Sequence, residues 1–373
     1  MKIGIVNETT EGERRVALIP DSVKRLKKNH EVILEPGAGD SAAFADEEFT
    51  AVGATVDSSA WQADVVLKIQ KPTLEEIGKL REGSIFVSLL WPLQNPDLAK
   101  ALAEKKVTAI GLESIPRTTL AQAMDVLSSQ ASLAGYWSVV AAAERLPKIF
   151  PLMMTPAGTI SPSRILVMGA GVAGLQAIGT AKRLGGVVEA TDVRPECKEQ
   201  VESLGGKFLE VEGVEVKKGE GGYAAEQSDE YKQKQAEMVA EHIAKADVVI
   251  TTALIPGRKA PILVTEEHLK SMRSGSLVVD LAAEQGGNCE GAVPGEDAVK
   301  HGVTIVGAVN ISSRIYVHSS QVFSRNMEKL LGHFTTKEGE LNLNMDDEII
   351  SGCVITHEGE VVHPKVKEVV NGS

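Results

Sequence analysis

Three glycines near the middle of the chain have the spacing of a dinucleotide-binding turn. Gly169, Gly171 and Gly174 follow an apolar run at 165–168 and precede a helical pattern at 175–183. The first glycine permits a tight turn, the second lets the backbone approach a pyrophosphate, and the third allows close packing of the helix. Because the helix N-terminus offers unpaired N–H groups to an anion, the pattern predicts a nucleotide site. A glycine-rich packing turn that binds no ligand remains the alternative.

An aspartate follows the next predicted strand, at 187–191. In a dinucleotide fold, a carboxylate roughly 20 residues beyond the glycines accepts hydrogen bonds from the adenosine ribose hydroxyls. Asp192 has this position, and its charge would repel a 2′-phosphate, so the sequence favours NAD over NADP. Arg194 lies close by in the sequence and would soften that preference. An aspartate that merely closes a turn is the alternative.

A polar segment at 115–130 follows a predicted strand at 108–112 and overlaps the start of a long helical pattern, which predicts a helix over 121–145. Ligands of open α/β sheets bind at the carboxyl ends of the strands, so we expect this segment to face a cleft. Four of its side chains are candidates for ordering the nicotinamide end of a dinucleotide: Arg117, Gln122, Asp125 and Ser128. Taken alone, Arg117 and Asp125 would more often form an ordinary ion pair near a helix start, which is the alternative.

The stretch 211–226 is long, rich in glycine and charge, and fits neither the helical nor the strand period. Connectors of this kind are commonly lids over a ligand or simply solvated loops. Tyr223 next to Gly222 is a candidate for closing over a bound nucleotide. A solvated loop without function stays open as the alternative.

The composition argues against several classes of function. With 373 residues and a net charge of −12, the chain would repel nucleic acids and anionic membranes, so we predict no nucleic-acid partner. The three cysteines form no CxxC pair and the eight histidines show no metal-binding spacing, so we predict no disulfide, no metal and a reducing cytoplasm. The polar N-terminus and the glycines within the apolar stretch 165–181 argue against a signal peptide and against direct membrane insertion.

Apolar runs and helical patterns alternate along the chain as in βαβ units. Strands are predicted at 2–6, 31–35, 65–69, 84–90, 108–112, 165–168, 187–191, 207–211, 248–252, 277–281 and 304–306, and helices also at 20–28, 95–105 and 322–331. A hairpin is predicted near 357–360. The fold class is therefore α/β, with two doubly wound Rossmann-like domains of mostly parallel sheets separated by a cleft. We expect an N-terminal catalytic-type domain at 1–125 plus about 319–373, and a NAD-binding Rossmann domain at 126–318.

Several longer motifs resemble one known family. The segment ETTEGERRVALIP at 8–20 resembles the amino-terminal signature shared by alanine dehydrogenases and the NAD(H)-binding component of proton-translocating nicotinamide nucleotide transhydrogenase. PRTTLAQAMDVLSSQ at 116–130 resembles the arginine, glutamine and aspartate loop of that transhydrogenase. VMGAGVAGLQAIGTAKRLG at 167–185, TTALIPGRKAP at 251–261 and VVDLAAEQGGN at 278–288 are similar to its dinucleotide domain. The resemblance covers essentially the whole chain.

The resemblance implies a role for each matching residue. The nicotinamide half of NAD(H) would contact Arg117, Gln122, Asp125 and Ser128. The pyrophosphate and the adenosine ribose would lie against Gly169, Ala170, Gly171, Val172, Gly174, Asp192, Val193 and Arg194. The rest of the nucleotide would contact Gly222, Gln235 and Leu254, with Tyr223 on a mobile loop.

The same resemblance implies an activity and partners. It implies an Si-face-specific, proton-translocating NAD(P) transhydrogenase, in which hydride passes directly between NADH on this chain and NADP+ on a partner subunit. It further implies a homodimer that joins an NADP(H)-binding subunit and a membrane-spanning subunit. The chain would then be cytoplasmic and peripherally associated with the inner membrane through these partners.

Two other functions remain open. An alanine dehydrogenase-like enzyme needs a base, because oxidising an amine or alcohol releases a proton from N–H or O–H. Alanine dehydrogenases carry a lysine and a histidine where this chain has Gln70 and the pair Leu90 and Trp91, which argues against that activity. A NAD-binding module without catalytic activity is the second alternative. Hydride exchange between two nicotinamide rings needs no such base, so transhydrogenation agrees best with these residues.

Overall fold

A computed structural model describes residues 1–211, 228–254 and 259–372. These residues form two compact units: unit 1 contains residues 1–130 and 312–373, and unit 2 contains residues 131–311. In chain order the strands of the described residues are β1 (Lys2–Ile5), β2 (Glu31–Leu34), β3 (Thr55–Val56), β4 (Val65–Leu67), β5 (Ile85–Ser88), β6 (Thr108–Gly111), β7 (Met153–Thr155), β8 (Gly158–Ile160), β9 (Arg164–Met168), β10 (Val187–Thr191), β11 (Lys207–Phe208), β12 (Val248–Thr251), β13 (Leu277–Asp280), β14 (Asp297–Lys300), β15 (Val303–Gly307), β16 (Val354–His357) and β17 (Glu360–Val361).

The helices of the described residues alternate with most of these strands. They are α1 (Pro20–Leu26), α2 (Asp46–Ala51), α3 (Leu74–Lys79), α4 (Pro96–Glu104), α5 (Val126–Arg145), α6 (Val172–Arg183), α7 (Cys197–Ser203), α8 (Asp229–Lys245), α9 (Glu266–Ser271), α10 (Ile311–Arg314), α11 (Tyr316–His333), α12 (Glu348–Cys353) and α13 (Pro364–Gly372). Helix α5 begins in unit 1 and ends in unit 2.

The sheet of unit 1 has the order β17-β16-β6-β5-β4-β1-β2-β3 in its described residues. Strands β1 to β6 are parallel to their neighbours, and β16 and β17 add an antiparallel edge. Both faces of this sheet are buried. Ile3 and Ile5 pack into one core, while Val66 and Phe86 pack into the other. Burial on both faces explains why these strands are nearly continuous apolar runs.

The sheet of unit 2 has the order β11-β10-β9-β12-β13-β15-β14 in its described residues. All of its pairs are parallel except that of β14 with β15. Without the antiparallel edge strand, this is the 3-2-1-4-5-6 order of a dinucleotide fold, and β1 to β6 of unit 1 repeat it. The strand order reverses between β9 and β12 in unit 2, so the crevice at their carboxyl ends is the expected place for a ligand.

The predicted α/β class with mostly parallel sheets is confirmed. Every predicted strand has a counterpart, and the predicted hairpin forms between β16 and β17 through His357 and Glu360. No bounds were predicted for β3, β7, β8, β14, α2, α3, α7, α8, α9, α10, α12 and α13, and apart from the polar helix α8 these elements are short or exposed. Elements of this kind give no apolar run or helical stripe long enough to recognise.

Three helix starts differ from the predictions, and that of α11 lies at Tyr316 rather than at residue 322. The predicted helix at 121–145 is instead a 3-10 turn at Ala121–Ala123 followed by α5, which starts at Val126. The carboxylate of Asp125 accepts a hydrogen bond from the backbone N–H of Ser128 at 2.9 Å, and this N-cap explains the start. Helix α6 starts at Val172 rather than at residue 175, because Gly171 occupies its N-cap and the first turn includes Gly174.

Candidate functional site

The glycine turn of unit 2 has the geometry that its sequence predicts. Gly169 has φ +103°, and a Cβ there would lie 2.4 Å from the Thr252 hydroxyl. A Cβ on Gly174 would lie 1.8 Å from the Gly169 carbonyl oxygen. Thr252 follows β12, and its hydroxyl donates to that carbonyl at 3.1 Å. The turn therefore lies where β9 and β12 end. Gly169 is required by its positive φ and by the nearby Thr252 hydroxyl, and Gly174 is required by a close backbone contact.

Gly171 is different, because a Cβ at this position would meet nothing closer than the Arg194 Nη2 atom at 3.9 Å. Gly171 is the N-cap of α6, and the first intrahelical bond is donated by Leu175 to the Gly171 carbonyl. The N–H groups of Val172, Ala173 and Gly174 therefore have no partner within the helix. Open space beside unpaired N–H groups is what an anionic phosphate needs, so the residues fit a dinucleotide pyrophosphate.

Asp192 is tied directly to the glycine turn. One of its carboxylate oxygens accepts the backbone N–H of Ala170 at 2.7 Å and the Nη2 of Arg194 at 3.0 Å. The other oxygen accepts the backbone N–H and the Nε of Arg194, both at 2.9 Å. Burial alone would raise the pKa of Asp192, but the bonds from Arg194 and Ala170 outweigh it, so this pKa lies below the ordinary 3.8. The carboxylate is thus ionised at neutral pH, while Arg194 remains partly exposed.

Three apolar side chains that the sequence associated with the nucleotide are exposed: Val172, Val193 and Leu254. Val172 lies within the glycine turn, Val193 directly follows Asp192, and Leu254 lies two residues after Thr252. Gln235 lies partly buried in α8. Gly222 and Tyr223, together with the proposed lid around them, lie outside the described residues, and so does most of the stretch 211–226.

A buried polar pair behind the turn was not identified from the sequence. Asn288 accepts the backbone N–H of Ala253 at 3.0 Å and donates to the carbonyls of Ala253 and Pro261 at 2.9 and 2.7 Å. Its own backbone N–H donates to the fully buried carboxylate of Asp280. These bonds fix the chain on both sides of Leu254. The signal available in the sequence was the group of polar residues that follows a buried strand within VVDLAAEQGGN.

In unit 1, two of the four predicted nicotinamide contacts bond to each other. The hydroxyl of Ser128 donates to Asp125 at 2.6 Å, in addition to the backbone bond that caps α5. Arg117 and Gln122 are exposed in the connection between β6 and α5. Among the ion pairs of the described residues, none joins Arg117 to Asp125, so the alternative of an ordinary ion pair is not supported.

The sequence analysis did not predict a cluster of charged residues that lies at the carboxyl edge of the unit 1 sheet. The Glu13 carboxylate accepts Nε and Nη2 of Arg15 at 2.8 and 2.6 Å, Nε2 of Gln70 at 2.8 Å and the hydroxyl of Ser313 at 2.8 Å. Burial would raise the pKa of Glu13, but Arg15 and Gln70 lower it to about 2. Gln70 is thus held by an ionised carboxylate and supplies no base.

A second charged group adjoins this cluster. The Nζ of Lys68 is fully buried and lies 3.1 Å from the Glu8 carboxylate and 3.7 Å from that of Glu76. Glu8 also accepts the backbone N–H groups of Ile69 and Gln70 at 2.5 and 3.2 Å. Burial raises the pKa of Glu8 although Lys68 opposes the shift. These bonds close the end of β4, where the sequence predicted only a strand.

Glu113 is a third carboxylate at this edge. Its oxygens accept the backbone N–H groups of Leu90 and Trp91 at 2.9 and 3.1 Å. Trp91 has φ +48°, a conformation that a bulky side chain rarely adopts, and Glu113 holds it in place. Burial raises the pKa of Glu113 to about 7, against the lowering effect of these backbone bonds.

Metal binding and membrane crossing find no support within the described ranges 1–211, 228–254 and 259–372. No group of three or more His, Cys, Asp or Glu side chains in these ranges is arranged to hold a metal ion. No helix in these ranges has both the length and the apolar character needed to cross a bilayer.

Comparison with known proteins identifies close relatives of the whole chain. A Rhodospirillum rubrum protein that bears the name of NAD(P) transhydrogenase subunit alpha is 48% identical over 98% of each chain. The crystal structure of a transhydrogenase from Sinorhizobium meliloti is 47% identical, superposes with a TM-score of 0.89, and the match covers 97% of this chain and 100% of that one. The alanine dehydrogenase of Bacillus subtilis is more distant, with 31% identity over 78% of this chain and 72% of that protein.

Family models match both halves of the sequence. The model of the alanine dehydrogenase/PNT N-terminal domain matches residues 4–134, and that of the C-terminal domain matches residues 138–364. The resemblance noted in the sequence motifs is therefore confirmed, and it implies binding of a nicotinamide nucleotide. This chain belongs to the alanine dehydrogenase/PNT family.

Proposed function

We propose that this chain is the NAD(H)-binding component of a proton-translocating NAD(P) transhydrogenase. In this function, bound NADH supplies a hydride that passes directly, with Si-face specificity, to NADP+ on a partner subunit. The observation that carries the proposal is the open space at Gly171, just before the N–H groups of α6 that have no helical partner. Two positions before α6, the N–H of Ala170 donates to the ionised carboxylate of Asp192. The names of the transhydrogenase relatives favour this activity over that of a dehydrogenase.

Each half of the nucleotide has its own candidate residues. The turn from Gly169 to Gly174, with Ala170, Gly171 and Val172, would hold the pyrophosphate, and Asp192 to Arg194, with Val193, would hold the adenosine ribose. Gln235, Leu254, Gly222 and Tyr223 would contact the remaining parts. Arg117, Gln122, Asp125 and Ser128 would orient the nicotinamide. In this assignment NAD is preferred because an ionised Asp192 repels a 2′-phosphate.

Catalysis in this proposal is by positioning, because exchange of hydride between two nicotinamide rings needs no base. The carboxylate of Glu13 and the amide of Gln70 are already bonded to each other, so neither is free to take a proton from a substrate. Asp125 is fixed by two bonds from Ser128, which gives the nicotinamide segment a defined conformation before ligand binds. Preorganised groups of this kind cost little reorganisation during the reaction.

The partners follow from the same proposal. The names of the relatives describe an alpha subunit, so a separate NADP(H)-binding subunit and a membrane-spanning subunit would complete the enzyme. The chain would form a homodimer, stay in the cytoplasm and associate with the inner membrane through these subunits. Proton translocation would occur in the membrane-spanning subunit.

Two assays of NADH oxidation by the purified chain test the proposal. With an NADP-binding partner subunit and an NADP analogue, we expect turnover. With pyruvate and ammonium we expect none, and turnover there would instead establish an amino acid dehydrogenase. Asp125→Asn is expected to impair the transhydrogenation rate, because a neutral amide holds Ser128 less well. An unchanged rate would remove Asp125 from the proposed site.

A further inference from the structure

We propose that Asn326 is a positioning residue for the nicotinamide-binding segment of unit 1. This inference rests on the proposed function, because it concerns the residues assigned to the nicotinamide. Asn326 lies on α11, and it is only 6% exposed. It is not expected to touch the nucleotide. Its effect would instead pass through the segment that contains Gln122, Asp125 and Ser128.

The side-chain amide of Asn326 makes two bonds to this segment. Nδ2 donates to the backbone carbonyl of Ala123 at 2.8 Å, and Oδ1 accepts from the hydroxyl of Ser129 at 2.7 Å. A carbonyl can only accept, so the nitrogen must face Ala123, and this fixes the orientation of the amide. The hydroxyl of Ser129 is then the donor to the oxygen.

The two bonds hold the segment on both sides of Asp125. Ala123 ends the 3-10 turn that contains Gln122, and Ser129 lies in the first turn of α5, next to Ser128. The chain between them changes from a 3-10 turn to an α-helix, and such a junction has few regular backbone bonds of its own. A planar amide bonded at both ends sets the separation of these two points. The positions of Asp125 and Ser128 depend on that separation.

A neighbouring contact shows that α11 supports the segment at one more point. Gln130 donates from Nε2 to the backbone carbonyl of Ser319 at 3.1 Å, and its Oε1 accepts from Nη1 of Arg15 at 3.2 Å. Gln130 lies beyond Ser128, however, and does not bridge the junction. Asn326 is therefore the side chain whose loss should move the nicotinamide contacts while leaving the helix attached.

Helix α11 offers a matched control in Ser324. This residue is fully buried, like Asn326 it bonds to a connecting segment, and its hydroxyl accepts the backbone N–H of Ile19 at 3.1 Å and donates to Ser22 at 2.6 Å. Its partners lie at the start of α1 rather than in the segment 117–128. Ser324→Ala therefore removes a comparable buried bond without touching the proposed nicotinamide contacts.

The test compares the binding of NADH and of ADP-ribose to the full chain by isothermal titration calorimetry. ADP-ribose lacks the nicotinamide, so its affinity reports only the other contacts. Asn326→Ala is expected to weaken NADH binding about tenfold and ADP-ribose binding less than about twofold, since the bonds it removes support only the nicotinamide segment. Ser324→Ala is expected to leave the ratio of the two affinities unchanged.

Two further variants separate the bonds. Asn326→Asp keeps an acceptor for Ser129 but places an oxygen against the Ala123 carbonyl, so it should weaken NADH binding as much as Asn326→Ala. Ser129→Ala keeps the bond to Ala123 but removes the second bond, together with the bond of the same hydroxyl to the backbone carbonyl of Val126 at 3.0 Å, and should change the ratio by less than about threefold. With the NADP-binding partner present, the rate of hydride transfer in Asn326→Ala should fall by more than its affinity for NADH, because misplaced groups reduce the rate after binding.

The outcomes distinguish this inference from the proposed function. If wild type binds NADH no more tightly than ADP-ribose and transfers no hydride, the proposed function fails, and this inference fails with it. If wild type discriminates and transfers hydride but Asn326→Ala has the same ratio as Ser324→Ala, only the positioning role is overturned. The positioning role of Asn326 is supported if the ratio of NADH affinity to ADP-ribose affinity falls in Asn326→Ala and Asn326→Asp but not in Ser324→Ala.

Discussion

Glu13 with Arg15 in unit 1 and Asp192 with Arg194 in unit 2 form the same local structure twice. In each pair, one carboxylate oxygen accepts the backbone N–H and the Nε of the arginine, and the other oxygen accepts its Nη2. The difference is exposure. The Arg15 side chain is 5% exposed and that of Glu13 1%, whereas Arg194 is 35% exposed beside an Asp192 that is 6% exposed.

The surroundings explain what each pair can do. In unit 1, Gln70 and Ser313 add further bonds to Glu13, so the protein itself fills the carboxylate's acceptor positions. In unit 2, the further bond to Asp192 comes from Ala170, a residue of the glycine turn, and the Arg194 guanidinium is partly open to solvent. The same spacing of acid and arginine therefore forms a purely structural ion pair where both side chains are buried. Where one partner stays accessible, the pair borders the site that we propose for the nucleotide.

The largest effect that we expect is on stability. Arg15→Ala leaves an ionised carboxylate buried without its cation, so it should lower the free energy of unfolding of unit 1 by about 3–5 kcal/mol. Arg194→Ala is the matched control and should cost less than about 1 kcal/mol, because its arginine is partly solvated. Urea unfolding followed by tryptophan fluorescence measures both. For the Arg15 variant a Trp137→Phe background leaves Trp61 and Trp91, which lie in unit 1. Equal losses in the two variants would contradict the comparison.

Glu113 shows what burial does to a carboxylate without an arginine. Its pKa of about 7 in the folded chain exceeds the ordinary 4.5, so the folded state holds a proton that the unfolded state releases between these pH values. Glu113 thereby contributes up to about 3 kcal/mol to the free energy of unfolding. This contribution is fully present below about pH 4.5 and is lost as the pH rises through 7. Paired Glu13, whose pKa is lowered to about 2, has the opposite sign and loses its contribution only as the pH falls below 4.5.

The variant Glu113→Gln cannot titrate, so the difference in unfolding free energy between it and wild type should change by most of this amount, about 2.5 kcal/mol, between pH 5 and 8. Urea unfolding at several pH values gives the difference directly. A difference that stays constant across this range would show that Glu113 is ionised throughout, in spite of its burial.

The sequence predicted unit 2 better than the chemistry of unit 1. The glycine turn and Asp192 were recognisable because each residue type is required at a fixed distance from a strand, and a Cβ at Gly169 or Gly174 would clash with backbone or side-chain atoms. The bonds of Asn288 were not recognisable, because they join positions far apart in the sequence. The nucleotide contacts themselves stay predictions, since they depend on a ligand.

The charged cluster of unit 1 shows the same limit. Glu13 and Arg15 are neighbours, but Gln70 and Ser313 reach them through the fold, from the end of β4 and from α10. Similarly, the helix predicted over 121–145 ignored the capping bond of Asp125, although aspartate is a common N-cap. Apolar periodicity predicts strands and helices, whereas it carries no information about which polar side chains meet between them.

The next effect tests whether the turn of unit 2 is open to a ligand. In Gly171→Val the new Cβ would lie no closer than 3.9 Å to any atom of the described residues beyond its neighbours in the chain, so folding should be unaffected while the approach of a pyrophosphate is blocked. We expect the Kd for NADH to rise by about 100-fold or more, near 2.7 kcal/mol, with an unchanged melting temperature. Gly174→Val should instead destabilise unit 2, because its Cβ would lie 1.8 Å from the Gly169 carbonyl oxygen. Tight NADH binding by Gly171→Val would mean that the turn is only a packing element.

The smallest effect concerns the choice between NADH and NADPH. In Asp192→Asn the charge that repels a 2′-phosphate is gone, so the ratio of the Kd for NADPH to that for NADH should fall about tenfold. Arg194→Gln removes the partly exposed cation and should raise the same ratio, because the carboxylate is then unshielded. Calorimetric titration of both variants with both nucleotides gives the ratios. If this ratio of Kd values changes in opposite directions in the two variants, the pair of Asp192 and Arg194 selects between NADH and NADPH. If the ratio changes in neither variant, the pair has a purely structural role, like Glu13 and Arg15.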